Sequence, residues 1–201
     1  MQIQWTGLSS FRIETKNSVI ITDPFDDSFG ITMPKFKADI VLVSDKDNKI
    51  ANNTKRLSGD FMLIDSPGEY EIKQSFVYGV AAPNTIFTIE DEGMSLAFLG
   101  PLDTGLSNGQ LEAIEGVDIL LLPVGTLSKE QRTTLISQVE PRIVIPYLYK
   151  QPKAKMELEP LETFLKEFGV KSAEPQEKFS IKKKDLSQEE TTVIVLQPSY
   201  A

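Results

Sequence analysis

The segment 41-VLVSDKDNKI-50 runs from an apolar strand, Val41, Leu42 and Val43, through Ser44 into Asp45, Lys46, Asp47, Asn48 and Lys49. Strand ends that turn polar this abruptly are where α/β proteins place their chemistry. Asp45 and Asp47, two residues apart, supply oxygen ligands of the kind that Ca²⁺ and Mg²⁺ take. An EF-hand loop needs D-x-D-x-D-G and a distant Glu. Lys49 and Ile50 stand at the fifth and sixth places, so that motif is absent. The competing account of the stretch is a solvated turn.

Three other stretches carry candidate groups. In 23-DPFDD-27, Asp23 before Pro24 suits a turn, and Asp26 and Asp27 are expected to be exposed. Paired carboxylates could do acid–base work, but their separation is not encoded in the spacing. In 66-SPGEYEI-72, a Pro-Gly turn leads into a strand with Glu69 and Glu71 on one side, which reads as an edge strand. In 100-GPLDTG-105, glycines and Asp103 follow a strand, yet neither phosphate-loop spacing is present and no helix opens directly on it.

Histidine is absent, and so is cysteine. Histidine is the common general base near neutral pH and a common zinc ligand. Without both residue types the chain cannot build Ser-His-Asp or Cys-His catalysis, a zinc finger, an imidazole-bound metal or a disulfide framework. The 201 residues are 40% apolar and 25% charged, with a formal charge of −8, as in an ordinary globular protein. The only basic cluster is Lys182, Lys183 and Lys184, so no nucleic-acid partner is expected. The start MQIQWTGLSS has neither a basic n-region nor an apolar h-region, and no apolar run reaches membrane-spanning length. A cytoplasmic location without membrane association is the expectation.

The elements that must position these groups change character along the chain. The first half reads as short strands: Gln2 to Trp5, Phe11 to Thr15, Val19 to Thr22, Asp39 to Val43, Phe61 to Ile64, Phe76 to Ala81, Thr85 to Glu90 and Met94 to Leu99. Gly93 in 90-EDEGM-94 marks a hairpin turn. In the second half, capping-box spacing at Ser107/Gln110 and Ser128/Gln131 starts helices that precede the apolar runs 118-DILLLPV-124 and 142-RIVIP-146. Pro160 can start a third helix and Gly169 can end it. Leu161, Phe164, Leu165 and Phe168 share one face between them. Thr192 to Leu196 gives a last strand, and 178-KFSIKKKDLSQEE-190 a solvated strand and turn. No low-complexity linker divides the chain, so a single domain over 1–201 is expected. Strands followed by strand–helix alternation fit stacked sheets with helices outside.

Taken in order, 5-WTGLSSFRIE-14, 20-IITDPF-25, 38-ADIVLVSDKDNKI-50, 67-PGEYEI-72, 98-FLGP-101, 118-DILLLPVG-125 and 141-PRIVIPYLY-149 resemble the metallo-β-lactamase superfamily. The branch they are most similar to is that of small bacterial metal-dependent hydrolases like ascorbate-6-phosphate lactonase. The resemblance covers nearly the whole chain and implies a four-layer αββα sandwich of mixed α/β class. It also implies a metal-dependent hydrolase, and here the residues part from the family. Its H-x-H-x-D-H motif falls on 45-DKDNKI-50, placing the first two histidines at Asp45 and Asp47, the aspartate at Lys49 and the last histidine at Ile50. The bridging aspartate falls on Pro101, a later histidine on Leu148, and an early G-H-S histidine on Leu8.

Three accounts follow from that mapping. In the first, the metal site has been lost, no cofactor is bound, and the fold serves as a binding or scaffolding module that pairs with itself or with an active paralogue. Asp45 or Asp47 then forms a salt-bridged knot with Lys46 or Lys49. An alternative is a hydrolase of a lactone or phosphate ester whose rebuilt centre gathers Asp23, Asp45, Asp47 and Asp103 around Mg²⁺, Mn²⁺ or Ca²⁺, although Lys49 would repel a dication there. A third use of the cleft is anion binding by Lys46, Lys49 and Tyr147. Asp23, Lys46, Asp103 and Tyr147 are the polar residues expected in the remaining cleft.

Overall fold

The computed structural model describes residues 1–171, 173–187 and 190–200. Its strands are β1 (Gln2–Gly7), β2 (Ser10–Glu14), β3 (Val19–Thr22), β4 (Phe36–Lys37), β5 (Ile40–Leu42), β6 (Leu57–Ser58), β7 (Met62–Ile64), β8 (Gly68–Ile72), β9 (Ser75–Val80), β10 (Ile86–Asp91), β11 (Met94–Phe98), β12 (Ile119–Pro123), β13 (Ile143–Tyr147), β14 (Phe179–Ser180) and β15 (Thr192–Val193). The helices are α1 (Asn108–Glu112), α2 (Lys129–Val139) and α3 (Leu161–Glu167).

Two sheets form the centre. One has the order β14-β1-β2-β3-β5-β7, the other β15-β13-β12-β11-β10-β9-β8, and β4 and β6 make a small separate pair. β3, β5 and β7 run parallel, as do β11, β12, β13 and β15. Runs such as 119-ILLLP-123 and 143-IVIPY-147 are buried on both faces, as parallel strands covered on each side require. In the seven-stranded sheet the crossovers from β11 to β12 and from β12 to β13 contain α1 and α2, and the longer one from β13 to β15 contains α3 and β14. In the six-stranded sheet the corresponding crossovers contain 3₁₀ turns at Asp27–Phe29 and Thr54–Arg56, with the β4–β6 pair.

Both capping boxes form. Gln110 and Gln131 accept from the backbone N–H of Ser107 and Ser128 at 2.8 and 2.7 Å. The facing sides of the two sheets meet in aromatic rings. Phe11 of β2 lies 6.5 Å from Phe98 of β11 and 5.2 Å from Tyr147 of β13, while Trp5 of β1 lies 4.9 Å from Tyr149. Each such pair adds ~0.5–1.5 kcal/mol beyond its buried area. One continuous set of buried side chains spans both sheets. Arg132, on α2 and 3% exposed, donates to the carbonyls of Val124 and Leu127 and to Glu159 and Glu167, fastening α2 to α3. Among the described residues no helix is long and apolar enough to cross a membrane.

The last strand is shorter than its apolar pattern predicts. β15 pairs with β13 at Thr192 and Val193, Ile194 N–H still donates to Val144 O at 3.0 Å, and the chain then changes partner. Leu196 bridges Gln176, with Gln176 N–H donating to Val195 O at 3.0 Å. The segment 178–190 holds β14 and a 3₁₀ turn at Lys183–Asp185, with Gln188 and Glu189 outside the described residues. Lys183 is not merely solvated, since its Nζ donates to both carboxylate oxygens of Asp118 at 3.1 and 3.0 Å.

Candidate functional site

The parallel strands of both sheets deliver their carboxyl ends to one side of the sandwich, the usual place for ligand sites in sheets of this kind. A cavity of about 380 Å³ opens there. Its apolar wall is Phe29, Ile50, Pro83, Pro101, Leu148 and Met156, and its polar groups are Asp45, Asn48, Asn84, Asp103 and Thr126. A volume of this size suits a small ligand.

The loop after β5 is shaped by side-chain-to-backbone bonds. Asp45 Oδ1 accepts from Asp47 N–H at 3.1 Å, Asn48 Oδ1 accepts from Ile50 N–H at 3.2 Å, and Asn52 Nδ2 donates to Lys46 O at 2.7 Å. Asp and Asn favour such local turns over regular structure. The salt-bridged knot expected from the alternating charges does not form: none of the ion pairs among the described residues includes Asp45, Lys46, Asp47 or Lys49. Lys46, Asp47 and Lys49 are exposed and solvated. Asp26 is held below the usual carboxylate range by the Ser28 backbone and side chain, with the charges of Lys49 and Lys55 adding to the effect.

Three residues at strand ends on this side of the sandwich have an unusual backbone, Leu148 of them lining the cavity. Leu8 at φ 48°, Asp23 at φ 36° and Leu148 at φ 51° all sit in the left-handed region, directly after or near strand ends. A bulky side chain there costs ~1–2 kcal/mol and persists only where the surroundings impose it. For Leu148 the constraint is visible. A Cβ at Gly125 would stand 2.2 Å from Leu148 O, so the two loops pass each other too closely for any side chain. Gly100, at φ 63°, is pressed in the same way against Ser44 and Asn84.

Asp23 and Tyr147 lie beneath the cavity and do not line it. Asp23 is fully buried, accepting from Ser44 N–H at 2.8 Å and Ser44 Oγ at 2.7 Å. Burial pushes its pKa up to about 8, against the opposing effect of the Ser44 bonds, so the carboxyl is held mainly neutral near pH 7. Tyr147 is fully buried in the aromatic cluster. Its hydroxyl donates to Gly100 O, and burial raises its pKa well above the ordinary value. The expectation that these two are cleft residues is therefore corrected. A strand-end residue can face the gap between the sheets as readily as the opening, and these two face the gap.

Of the sequence-predicted positions, the cavity brings together Asp45, Ile50, Pro101, Leu148 and Asp103. Lys46, Asp47 and Lys49 are outside it. The anion site of Lys46, Lys49 and Tyr147 is thus not assembled, with two of its members in solvent and one in the core. Nor do Asp23, Asp45, Asp47 and Asp103 gather. Among the described residues no three His, Cys, Asp or Glu side chains are placed to hold a metal ion. A catalytic zinc needs about three protein ligands and an open position. The donor set here, two carboxylates set among aliphatic, aromatic and amide groups, does not fit one. Phe29, Asn84, Thr126 and Met156 were not singled out by sequence. They come from loops distant in the chain, and only the Pro83-Asn84 pair before β10 carries a local turn signal.

The family model for the beta-lactamase superfamily domain matches residues 2–147. Among solved structures, a candidate Zn-dependent hydrolase of the metallo-β-lactamase superfamily from Thermotoga maritima is 30% identical, with a TM-score of 0.83 and 98% of each chain covered. Igni18, a metallo hydrolase from Ignicoccus hospitalis, is 18% identical at a TM-score of 0.64, over 90% of this chain and 99% of its own. An isothiocyanate hydrolase from Delia radicum gut bacteria is 9% identical at a TM-score of 0.66, over 90% of this chain and all of its own (100%). These last two likenesses are of fold. No curated protein matches the chain. With its paired sheets, the order of its motifs and this coverage, the chain belongs to the metallo-β-lactamase superfamily.

Proposed function

We propose that this member of a hydrolase-like family is not a metal-dependent hydrolase but a binding module, built on the fold after loss of its metal centre. The observation that carries the proposal is the cavity wall. Of the positions where the family pattern places metal ligands, Ile50, Pro101 and Leu148 present carbon to the cavity, Asp45 presents a carboxylate, and Asp47 and Lys49 lie outside it. With no histidine in the chain, no neutral general base of ordinary kind is at hand either.

The reading treats residues 1–201 as one functional unit, soluble in the cytoplasm, whose partner is a small molecule, a second copy or an active paralogue. Its exposed large apolar side chains, Met62 and Leu63 on the edge strand β7 and Phe76 on β9, lie outside the cavity lining. The test is turnover. Untagged protein supplied in turn with Zn²⁺, Mn²⁺, Mg²⁺ and Ca²⁺ is expected to hydrolyse lactones and phosphate esters no faster than an Asp45→Ala, Asp103→Ala variant. Metal-dependent turnover that this variant loses would overturn the proposal.

A further inference from the structure

The chemistry of the cavity narrows what it can bind. Its two ionisable wall residues, Asp45 and Asp103, are both carboxylates, and no Lys or Arg lines it. Neither carboxylate takes part in an ion pair among the described residues. Asp45 uses Oδ1 to hold the Asp47 N–H, which leaves Oδ2 free.

The neutral polar groups point the same way. Asn84 is only 9% exposed. Its Nδ2 is spent on Leu99 O at 2.7 Å and Thr85 O at 3.4 Å, so the free atom of this buried side chain at the wall is the acceptor Oδ1. Thr126 spends its hydroxyl proton on Leu102 O at 2.6 Å. Asn48 Nδ2 is the one amide donor left at the wall, since Asn48 Oδ1 holds Ile50 N–H. The site therefore offers acceptors and negative charge around a floor of Ile50, Leu148, Met156 and Phe29.

Resting on the reading of this site as a metal-free binding cavity, we propose that it binds a small organic ammonium ion carrying an apolar body. The ammonium donates to Asp45 and Asp103, with Asn84 Oδ1 as a further acceptor, and the apolar body covers the aliphatic and aromatic floor. Phe29 adds a ring toward which a cation is drawn. An anionic ligand would be repelled by both carboxylates, and a neutral one would forgo their attraction.

The test is calorimetric titration of the untagged full chain in EDTA with three probes of equal size: benzylamine, benzyl alcohol and benzoate. Benzylamine is expected to bind one to one with Kd on the order of 1 mM, as befits so small a ligand. Benzyl alcohol should bind at least about tenfold more weakly, benzoate not measurably, and benzylamine binding should weaken as salt is raised. Asp45→Asn and Asp103→Asn should each raise the benzylamine Kd by about tenfold while leaving the thermal midpoint unchanged, since neither side chain is in the core.

Absence of benzylamine binding, equal binding of alcohol or benzoate, or binding that both variants retain would each overturn the inference. Failure of the underlying reading registers separately. It would appear as stoichiometric binding of Zn²⁺, Mn²⁺, Mg²⁺ or Ca²⁺ in chelator-free buffer, lost in the same variants. Silent metals with no amine binding would remove the ammonium ligand and leave the metal-free reading standing.

Discussion

At the scale of single residues, Asp23 makes the sharpest prediction. Its ordinary pKa is 3.8 and its folded value about 8, so between them the native state holds a proton that the unfolded chain has released. The stability that Asp23 contributes is fully present below pH ~4 and is lost as pH rises through about 8. Asp23→Asn keeps an acceptor for Ser44 N–H and an amide beside Ser44 Oγ, and it removes the titration. The difference in unfolding free energy between variant and wild type, measured by denaturant titration from pH 4 to 9, should therefore move in the variant's favour as pH rises. A constant difference would contradict the buried neutral carboxyl. Gly125→Ala is expected to cost ~1–3 kcal/mol or more, because its Cβ has nowhere to go but into Leu148 O. A thermal midpoint lower by roughly 2–4 °C per kcal/mol is the readout. What the sequence hid at this scale was direction. The charged string 45-DKDNK-49 announces a turn, and there Asp45 Oδ1 and Asn48 Oδ1 serve their own backbone while Lys46, Asp47 and Lys49 face solvent, whereas Asp23 and Tyr147 look available and are sealed inside.

Elements were more legible, because hydrophobic period and caps report on them directly. Val19–Thr22 is a strand over the span its β-branched run indicates, and the helices follow Ser107, Ser128 and Pro160 as their start signals require. The third helix stops at Glu167, with Gly169 at φ 74° just beyond. At the last strand a tertiary choice decides: after Ile194 the chain leaves β13 and Leu196 bridges Gln176, which no local pattern encodes. Arg132 is hidden from the sequence for the same reason. On a helix surface it looks like an exposed cation, but it is buried under α3 and satisfies two carbonyls and two carboxylates. Arg132→Ala should cost about 3–5 kcal/mol, the usual range when one partner of a buried charge network is removed. Protease cleavage or hydrogen exchange should show α2 and α3 loosening together. Loosening confined to α2 would contradict Arg132 as the link between them.

At the scale of the whole molecule, the fold is that of the family, and the proposal concerns the chemistry it carries. The two sheets and the order of motifs along the chain are those of the family. The backbone is left-handed at Leu8, Asp23 and Leu148, and among the described residues no three His, Cys, Asp or Glu side chains are placed to hold a metal. Fold was readable because it is spread over many strands and turns, any few of which suffice. Of the site, the sequence offers the absence of histidine and the positions Asp45, Ile50, Pro101, Asp103 and Leu148, which the cavity brings together. The cavity's actual wall, drawn from loops far apart in the chain, needed coordinates. The central claim is that this wall holds no catalytic metal. Elemental analysis of untagged protein, followed by calorimetric titration with Zn²⁺, Mn²⁺, Mg²⁺ and Ca²⁺, tests it most directly. The account predicts no stoichiometric metal as purified and no saturable binding up to ~1 mM, an affinity weaker than even extracellular calcium modules reach. One equivalent of tightly held metal, lost in an Asp45→Ala, Asp47→Ala, Asp103→Ala variant that still folds, would contradict it.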